Sequence, residues 1–217
     1  MKYFLDKLTR KLKVSGTGNH VSYIKNEKGR FYISGENNLV DIRGKTKNVH
    51  IRINGNNNKI IVEENCALHH VKFHIGMSSS KVNNATIYIG KNTRNTRECD
   101  FCILEDNSKI LLGEDCLLAD GIYIWCTDGH TILDKNKQIT NEGCSVEIGN
   151  HVWIAKDVKI NKNTSIADGS VVGWNSTVTK KFTQPNVVIA GNPAKIVKTD
   201  IEWNGASVRD YKLQHPF

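Results

Sequence analysis

The sequence is poor in the features that mark several common protein classes. Its 217 residues include three prolines, so no proline-rich linker divides the chain. No stretch is long and apolar enough to span a bilayer, and charges interrupt the apolar residues at positions 1–8, unlike a signal peptide. We therefore expect one main domain, located in the cytoplasm.

Aromatic residues are also scarce, at 7%, and hydrophobic residues reach only 39%. Both fractions are low for an enzyme with a wide globular core. They suit a narrow core that is filled by stacked Ile, Val and Leu side chains.

Acidic residues are too few to balance the basic ones, which leaves a net charge of +8 and a pI of about 9.1. A basic chain favours anionic partners: nucleic acid, anionic lipid, an acidic glycan or a phosphorylated cofactor. The sequence has no dense Lys/Arg run interleaved with aromatic residues, so nucleic acid ranks low among them.

Patterns of metal ligands are weak. His69, His70 and His74 lie in one six-residue stretch, but neighbours along a strand alternate in direction and converge poorly on one ion. Cys99 and Cys102 form a lone CxxC without a second pair. We expect no metal site.

The strongest pattern is an aliphatic residue at every sixth position. It comprises Ile148, Ile154, Ile160, Ile166, Val172 and Val178, and small or β-branched residues lie four positions after the first five: Val152, Val158, Thr164, Ser170 and Ser176. A period of six fits neither an amphipathic helix nor a two-faced strand. It predicts an all-β fold, a parallel β-helix in which each side of a coil contributes one inward aliphatic side chain.

A looser repetition, with spacings near twenty, begins at about residue 35, and the frame is interrupted between Ile124 and Ile148. The interruption predicts a loop that protrudes from the solenoid near 128–147. Cys66 and Cys116 occupy the small bend position, so we interpret them as space-filling thiols of a reducing compartment.

The two ends of the chain depart from the repeat. Residues 2–13 have an amphipathic pattern that predicts a short helix, either a cap over the open end of the solenoid or a membrane-surface anchor. Two β-prone runs flanking residues 26–29 predict a hairpin. We expect an N-terminal cap at 1–34, a β-helix domain at 35–182 and a terminal strand and tail at 183–217.

Two tryptophans next to inward positions, Trp153 and Trp174, should point outwards. They pack against another subunit, form the wall of a ligand site, or do both if the ligand lies in a subunit interface.

Small residues one coil apart predict a slot on the outside of the solenoid. Ala155 and Gly173 are separated by eighteen residues and should stack, which leaves room for an extended ligand against the backbone. Lys162 and Lys180 are also one coil apart, and Lys195 follows nearby. A row of ammonium groups beside a slot suits a cofactor with several phosphates.

His130 lies where the repeat breaks, at the root of the predicted loop. An imidazole there is suited to proton transfer because its pKa is near neutral. Asp128 or a backbone carbonyl group is a candidate to orient its second nitrogen; a loop histidine without a role is the alternative.

Three segments resemble the hexapeptide-repeat O-acetyltransferases: 148–155 (IGNHVWIA), 172–180 (VGWNSTVTK) and 185–195 (PNVVIAGNPAK). The resemblance is specific over roughly residues 112–198, and the Asn-rich first half is similar to the branch that modifies capsular polysaccharide and sialic acid. It implies a left-handed parallel β-helix and a homotrimer with active sites between subunits.

The resemblance also implies roles for individual residues. The family's general base falls on His130, and the tryptophan that contributes to the site in the capsule branch falls on Trp153. The acetyl-CoA co-substrate would lie along Ala155, Gly173, Trp174, Thr179, Lys180 and Lys195.

The expected function is therefore transfer of an acetyl group from acetyl-CoA to a sugar hydroxyl in a capsular, sialylated polysaccharide, directly and without a covalent enzyme intermediate. Alternatives are N-acetylation of an amino sugar nucleotide, O-acetylation of an antibiotic, and a non-catalytic β-helix that binds glycan.

Overall fold

A computed structural model describes residues 11–216 and shows a parallel β-helix of eight coils. The first four coils contain β1 (Lys11–Ser15), β2 (His20–Glu27), β3 (Arg30–Ser34), β4 (Leu39–Lys47), β5 (His50–Asn54), β6 (Lys59–Val62), β7 (Ala67–His69), β8 (Val71–Ile75), β9 (Thr86–Ile89) and β10 (Arg94–Asn95). The last four contain β11 (Cys99–Ile103), β12 (Lys109–Leu112), β13 (Leu117–Leu118), β14 (Ile122–Trp125), β15 (Ser145–Ile148), β16 (Trp153–Ile154), β17 (Lys159–Asn161), β18 (Thr164–Ile166), β19 (Val171–Val172), β20 (Thr177–Val178), β21 (Lys181–Phe182) and β22 (Val188–Gly191), followed by β23 (Ala194–Lys198) and helix α1 (Val208–Gln214).

The coils have three faces. Face 1 is an eight-stranded parallel sheet of β1, β3, β5, β8, β11, β14, β17 and β20. Faces 2 and 3 contain the strands that pair with the first and second halves of β4, which bends to pair with both β6 and β7. We call the edge between faces 1 and 2 the loop corner, and the edge between faces 3 and 1 the slot corner.

The repeat of six determines the core of the last coils. Its six aliphatic residues are all at least 96% buried, and the small residues of the bends are equally enclosed. The bends themselves are made by residues with positive φ, chiefly Asn and Asp, such as Asn107 at 59° and Asp157 at 59°. At the loop corner of the first coils, the Oδ1 atom of Asn38 accepts hydrogen bonds from the backbone and side chain of Asn58. These amide ladders satisfy the polar groups of the enclosed bends.

The predicted N-terminal hairpin is wrong. Strand β2 pairs in parallel with β4, and β3 pairs in parallel with β1 and β5, so β2 and β3 belong to consecutive coils. The turn with Lys28 at φ 60° is a bend between two coils. The solenoid thus begins by residue 11, where β1 occupies the end of the predicted helix 2–13; the rest of that helix lies outside the described residues.

The interruption of the repeat is confirmed as an excursion: residues 126–144 leave face 1 after β14 and return at β15 on face 2. The chain ends as an antiparallel β22–β23 ladder and a tail with α1. Along residues 11–216, no helix is long and apolar enough to cross a membrane.

Candidate active site

The small residues stack as predicted at the slot corner. The backbone N–H of Ala155 donates to Val172, and that of Gly173 donates to Ile189, which stacks the three last coils. A Cβ atom on Gly173 would lie 3.1 Å from the Cβ atom of Ala190, so the small column continues upward. We define the slot as the column of Ala155, Gly173 and Ala190.

Lys195 and Trp174 lie beside this slot. Lys195 is opposite Ala190 in the β22–β23 ladder, so a cation lies at the end of the column. Trp174 follows Gly173 and is 72% exposed, an unusually open position for an indole ring. The pair offers a charged and an aromatic surface to a ligand along the slot.

Trp153 points outwards from face 3, one residue before the buried Ile154. It is partly covered by Trp203, which the sequence pattern did not indicate as part of the site. Its ring centroid lies 6.1 Å from that of Trp203 in the C-terminal tail. Trp203 stacks on His151 at 4.1 Å and donates its indole N–H to the His151 carbonyl oxygen at 2.8 Å. The tail therefore packs on face 3 next to its edge with face 2, where His151 makes the bend between β15 and β16.

His130 lies at the other edge of face 1, in the loop at the loop corner, and is exposed in the single chain. Its carbonyl oxygen accepts a hydrogen bond from the Asn141 side chain at 2.8 Å. Asn141 also accepts from the backbone N–H of Ile132, so one amide ties the two arms of the loop together beside His130.

Lys162 does not belong to a phosphate-binding row. Its ammonium group pairs with Asp128 and donates to the Asn141 carbonyl oxygen, and its side chain is only 13% exposed. The hydrogen bond from Lys162 holds the pKa of Asp128 below its usual value. The pair therefore holds the base of the loop, and the Asp128 carboxylate is bound to Lys162.

Glu105 makes a second clamp on the same loop. One carboxylate oxygen accepts from the Thr127 hydroxyl at 3.1 Å, and the other accepts from the backbone N–H of Gly143. Because these two residues begin and end the excursion, Glu105 closes its neck. The position of His130 is set by these contacts with the rigid coils.

Thr179 and Lys180 lie at the loop corner of the last coil, not at the slot. They follow β20 of face 1, and Lys180 is over the Phe182 ring at 5.4 Å. The eight residues proposed for the site thus form two groups in one chain. Trp153, Ala155, Gly173, Trp174 and Lys195 line the slot corner, whereas His130, Thr179 and Lys180 line the loop corner.

The buried cysteines are unsuited to a nucleophilic role. All six are free thiols, and five of them are buried. Burial raises the pKa of Cys66 to about 11 and that of Cys102 and Cys126 to about 12, so these thiols are protonated at neutral pH.

The histidine triplet is divided among different parts of the coil. His69 ends β7 on face 3, His70 makes the bend with φ 54°, and His74 lies in β8 on face 1. Within residues 11–216, no group of three potential ligands is placed to hold a metal ion.

Comparison with known proteins identifies close relatives. The polysialic acid O-acetyltransferase of Neisseria meningitidis is 35% identical over 191 residues, which cover 78% of this chain and 86% of that protein. No family model matches the sequence.

Two solved structures share the fold over 94% of this chain. The polysialic acid O-acetyltransferase OatWY has a TM-score of 0.81, 28% identity and 96% of its own chain covered. The polySia-specific acetyltransferase NeuO has a TM-score of 0.79, 25% identity and 92% coverage. The fold is the left-handed parallel β-helix that was expected, and the chain is an acyltransferase with acetyl-CoA as co-substrate. It belongs to the hexapeptide-repeat O-acetyltransferase family, in the branch that contains the polysialic acid O-acetyltransferases.

Proposed function

We propose that this enzyme transfers the acetyl group of acetyl-CoA to a hydroxyl group of a sialylated capsular polysaccharide. The observation that carries the proposal is the match to a polysialic acid O-acetyltransferase over 86% of that protein's length. The net charge of +8 supports an acidic acceptor. The six free thiols support a reducing compartment, which we propose to be the cytoplasm.

His130 is the general base of the proposed reaction. It takes the proton of the acceptor hydroxyl as that oxygen attacks the thioester carbonyl carbon, the C–S bond breaks, and the proton passes to the CoA sulfur. The Trp153 indole N–H is the candidate donor to the carbonyl oxygen on which charge develops. Direct transfer is supported by the high pKa values of the buried thiols, which are poor nucleophiles.

The proposed cofactor path is the slot. Ala155 and Gly173 let the pantetheine arm approach the backbone, and Lys195 offers a cation to a phosphate group. Thr179 and Lys180 contact the cofactor from the other wall of the site. Acetyl-CoA is held so that its thioester faces the imidazole, and this orientation supplies much of the rate.

The two walls belong to different protomers in this proposal. In one chain His130 and the slot lie at opposite edges of face 1, so neither edge is a complete site. A head-to-tail ring of three protomers brings the loop corner of one against the slot corner of the next. The exposed apolar tip of the loop, with Ile132 at 56% and Ile139 at 55%, supports burial against a neighbouring subunit.

Replacing the imidazole tests the assignment. We expect His130→Ala to lower kcat about a hundredfold or more, because the hydroxyl loses its base, while the Kd for CoA stays the same. Turnover is followed by thiol release with a sialic-acid polymer as acceptor. The substitution His215→Ala, in the exposed tail, is the matched control, and equal activity of the two variants would refute the role of His130.

A further inference from the structure

Face 1 of the first four coils carries a continuous set of basic side chains that the catalytic residues do not include. The registers align Arg30 with His50 and Lys72, and Lys13 with Tyr32, Arg52 and His74. These positions alternate with buried residues and so point outwards. We define the cationic track by its six basic residues: Lys13, Arg30, His50, Arg52, Lys72 and His74.

The track has no balancing ion pairs among the described side chains. Those side chains form ion pairs only between Arg43 and its two acidic neighbours and between Lys162 and Asp128. Asp100 aligns with Lys72 and interacts electrostatically with His74, so acidic charge lies at this end of the track and the cations Lys13, Arg30 and Arg52 lie further from it. Partial burial lowers the pKa of His50, and the charges of Arg30 and Lys72 lower it further.

The surface around the track contains a groove and a depression that are lined in part by polar side chains. An open groove of about 670 Å³ runs beneath the bend that follows β8 and is lined by Lys13, Tyr32, Ser34, Arg52, Asn54 and Ser78. A smaller depression of about 90 Å³ lies between His50, Lys72, Asp100 and Tyr123.

One polar atom at the smaller depression is unpartnered. The Oδ1 atom of Asp100 is buried and has no hydrogen-bond partner among the described residues. A buried acceptor of this kind is costly unless a donor reaches it. A sugar hydroxyl or an N-acetyl N–H group would supply the donor, whereas a simple anion would not.

The track leads towards the catalytic loop. In the same two columns, Asp100 aligns with Tyr123 and Cys102 aligns with Trp125, and the loop that contains His130 begins directly after Trp125. Tyr123 and Trp125 are 46% and 37% exposed, and aromatic rings of this kind stack on the apolar faces of sugars. From Arg30 to Tyr123 is four coils, or about 19 Å at the usual strand spacing. Only a ligand longer than one sugar reaches both.

We propose that the cationic track is a subsite for the acidic polysaccharide acceptor, which binds carboxylates of sugar units remote from the acetylated one. This inference rests on the proposed function, and it adds the surface along which the polymer binds. The N-terminal residues 1–10 do not complement the charge of the track, because they contain three basic side chains and one acidic one. Nucleic acid is disfavoured because the orphaned Asp100 acceptor and the adjacent catalytic loop match a hydroxyl-rich acceptor.

The test compares acceptor length. Arg52→Gln combined with Lys72→Gln is expected to raise KM for a long α2,8-linked sialic-acid polymer about tenfold or more, since two charge-assisted contacts are lost. KM for a sialic-acid dimer and for acetyl-CoA should stay unchanged. Lys59→Gln combined with Lys109→Gln, an equal charge change on face 2, is the matched control and should leave all three values unchanged. All four lysine and arginine side chains are exposed, so the variants should fold.

The affinity for the polymer, measured in the absence of acetyl-CoA, tests whether the track binds the carboxylates of the acceptor. We expect the track variant to lose affinity for the native polymer, and the wild-type protein to bind a carboxyl-reduced polymer as weakly as that variant binds the native one. Equal KM values in the track and control variants would overturn the inference, as would single-stranded DNA competing as well as the polymer. If instead the wild-type protein acetylates no sialic-acid acceptor of any length, it is the proposed function that fails.

Discussion

Individual residues of this protein owe their positions to two different causes. The inward Ile and Val residues and the small residues of the bends follow from a period of six, and their burial was predictable because the repeat determines the register. Lys162 shares that period with Lys180, yet it is occupied by Asp128, 34 positions earlier in the chain. No periodic signal reports such a contact, because the loop that makes it lies outside the repeat.

Removal of the Lys162 charge should loosen the loop that contains His130. We expect Lys162→Met to lower kcat about tenfold through loss of the clamp on Asp128 and Asn141, and to speed amide hydrogen exchange in residues 128–143. Lys91→Met, at an exposed bend, is the control. Unchanged exchange in the Lys162 variant would contradict the clamp.

The same pair determines how the loop responds to acid. The pKa of Asp128 is held below 3.8, its ordinary value, so the stabilisation by Lys162 is complete above that pH and is lost as the pH falls further. The protection of the loop amides against hydrogen exchange should therefore not vary with pH near neutrality.

At the scale of elements, the sequence predicted the coils, the excursion and the terminal strand, and the N-terminal hairpin was wrong. Two β-prone runs joined by a short turn look alike whether they form a hairpin or lie in consecutive coils, because the turn chemistry is the same. The tail has no repeat, so the sequence could not predict its path across face 3 or the contact between Trp203 and His151. For Trp153, the sequence predicted only that the indole points outwards, and not its contact with Trp203.

The tail element can be tested through its anchor. Trp203→Ala should free the tail, expose it to limited proteolysis and cost about 1–2 kcal/mol of stability, a fraction of the value for a fully buried aromatic. Because Trp203 packs beside Trp153, kcat should also fall several-fold. Trp174→Ala removes an indole that is 72% exposed and should leave stability and proteolysis unchanged. Equal proteolysis of the two variants would show that Trp203 does not hold the tail.

At the scale of the whole molecule, face 1 links the proposed functions. Its first four coils carry the cationic track, and its two edges carry the loop corner with His130 and the slot corner with Gly173. A sequence repeat predicts which residues stack in one column, but it does not say which columns of two chains meet. The proposed division of the site between protomers therefore rests on the three-dimensional arrangement and on the family resemblance.

The most direct test of this account is rescue of activity in mixed oligomers. His130→Ala removes the base at the loop corner, and Gly173→Leu fills the slot corner; each variant alone should be inactive. Unfolding and reassembly of an equal mixture should restore about a quarter of wild-type activity, because one interface in four joins an intact loop corner to an intact slot corner. A mixture of His130→Ala with Lys180→Glu, both at the loop corner, should show no rescue. If the first mixture stays as inactive as its parents while forming mixed oligomers, the site is not shared between protomers in this way.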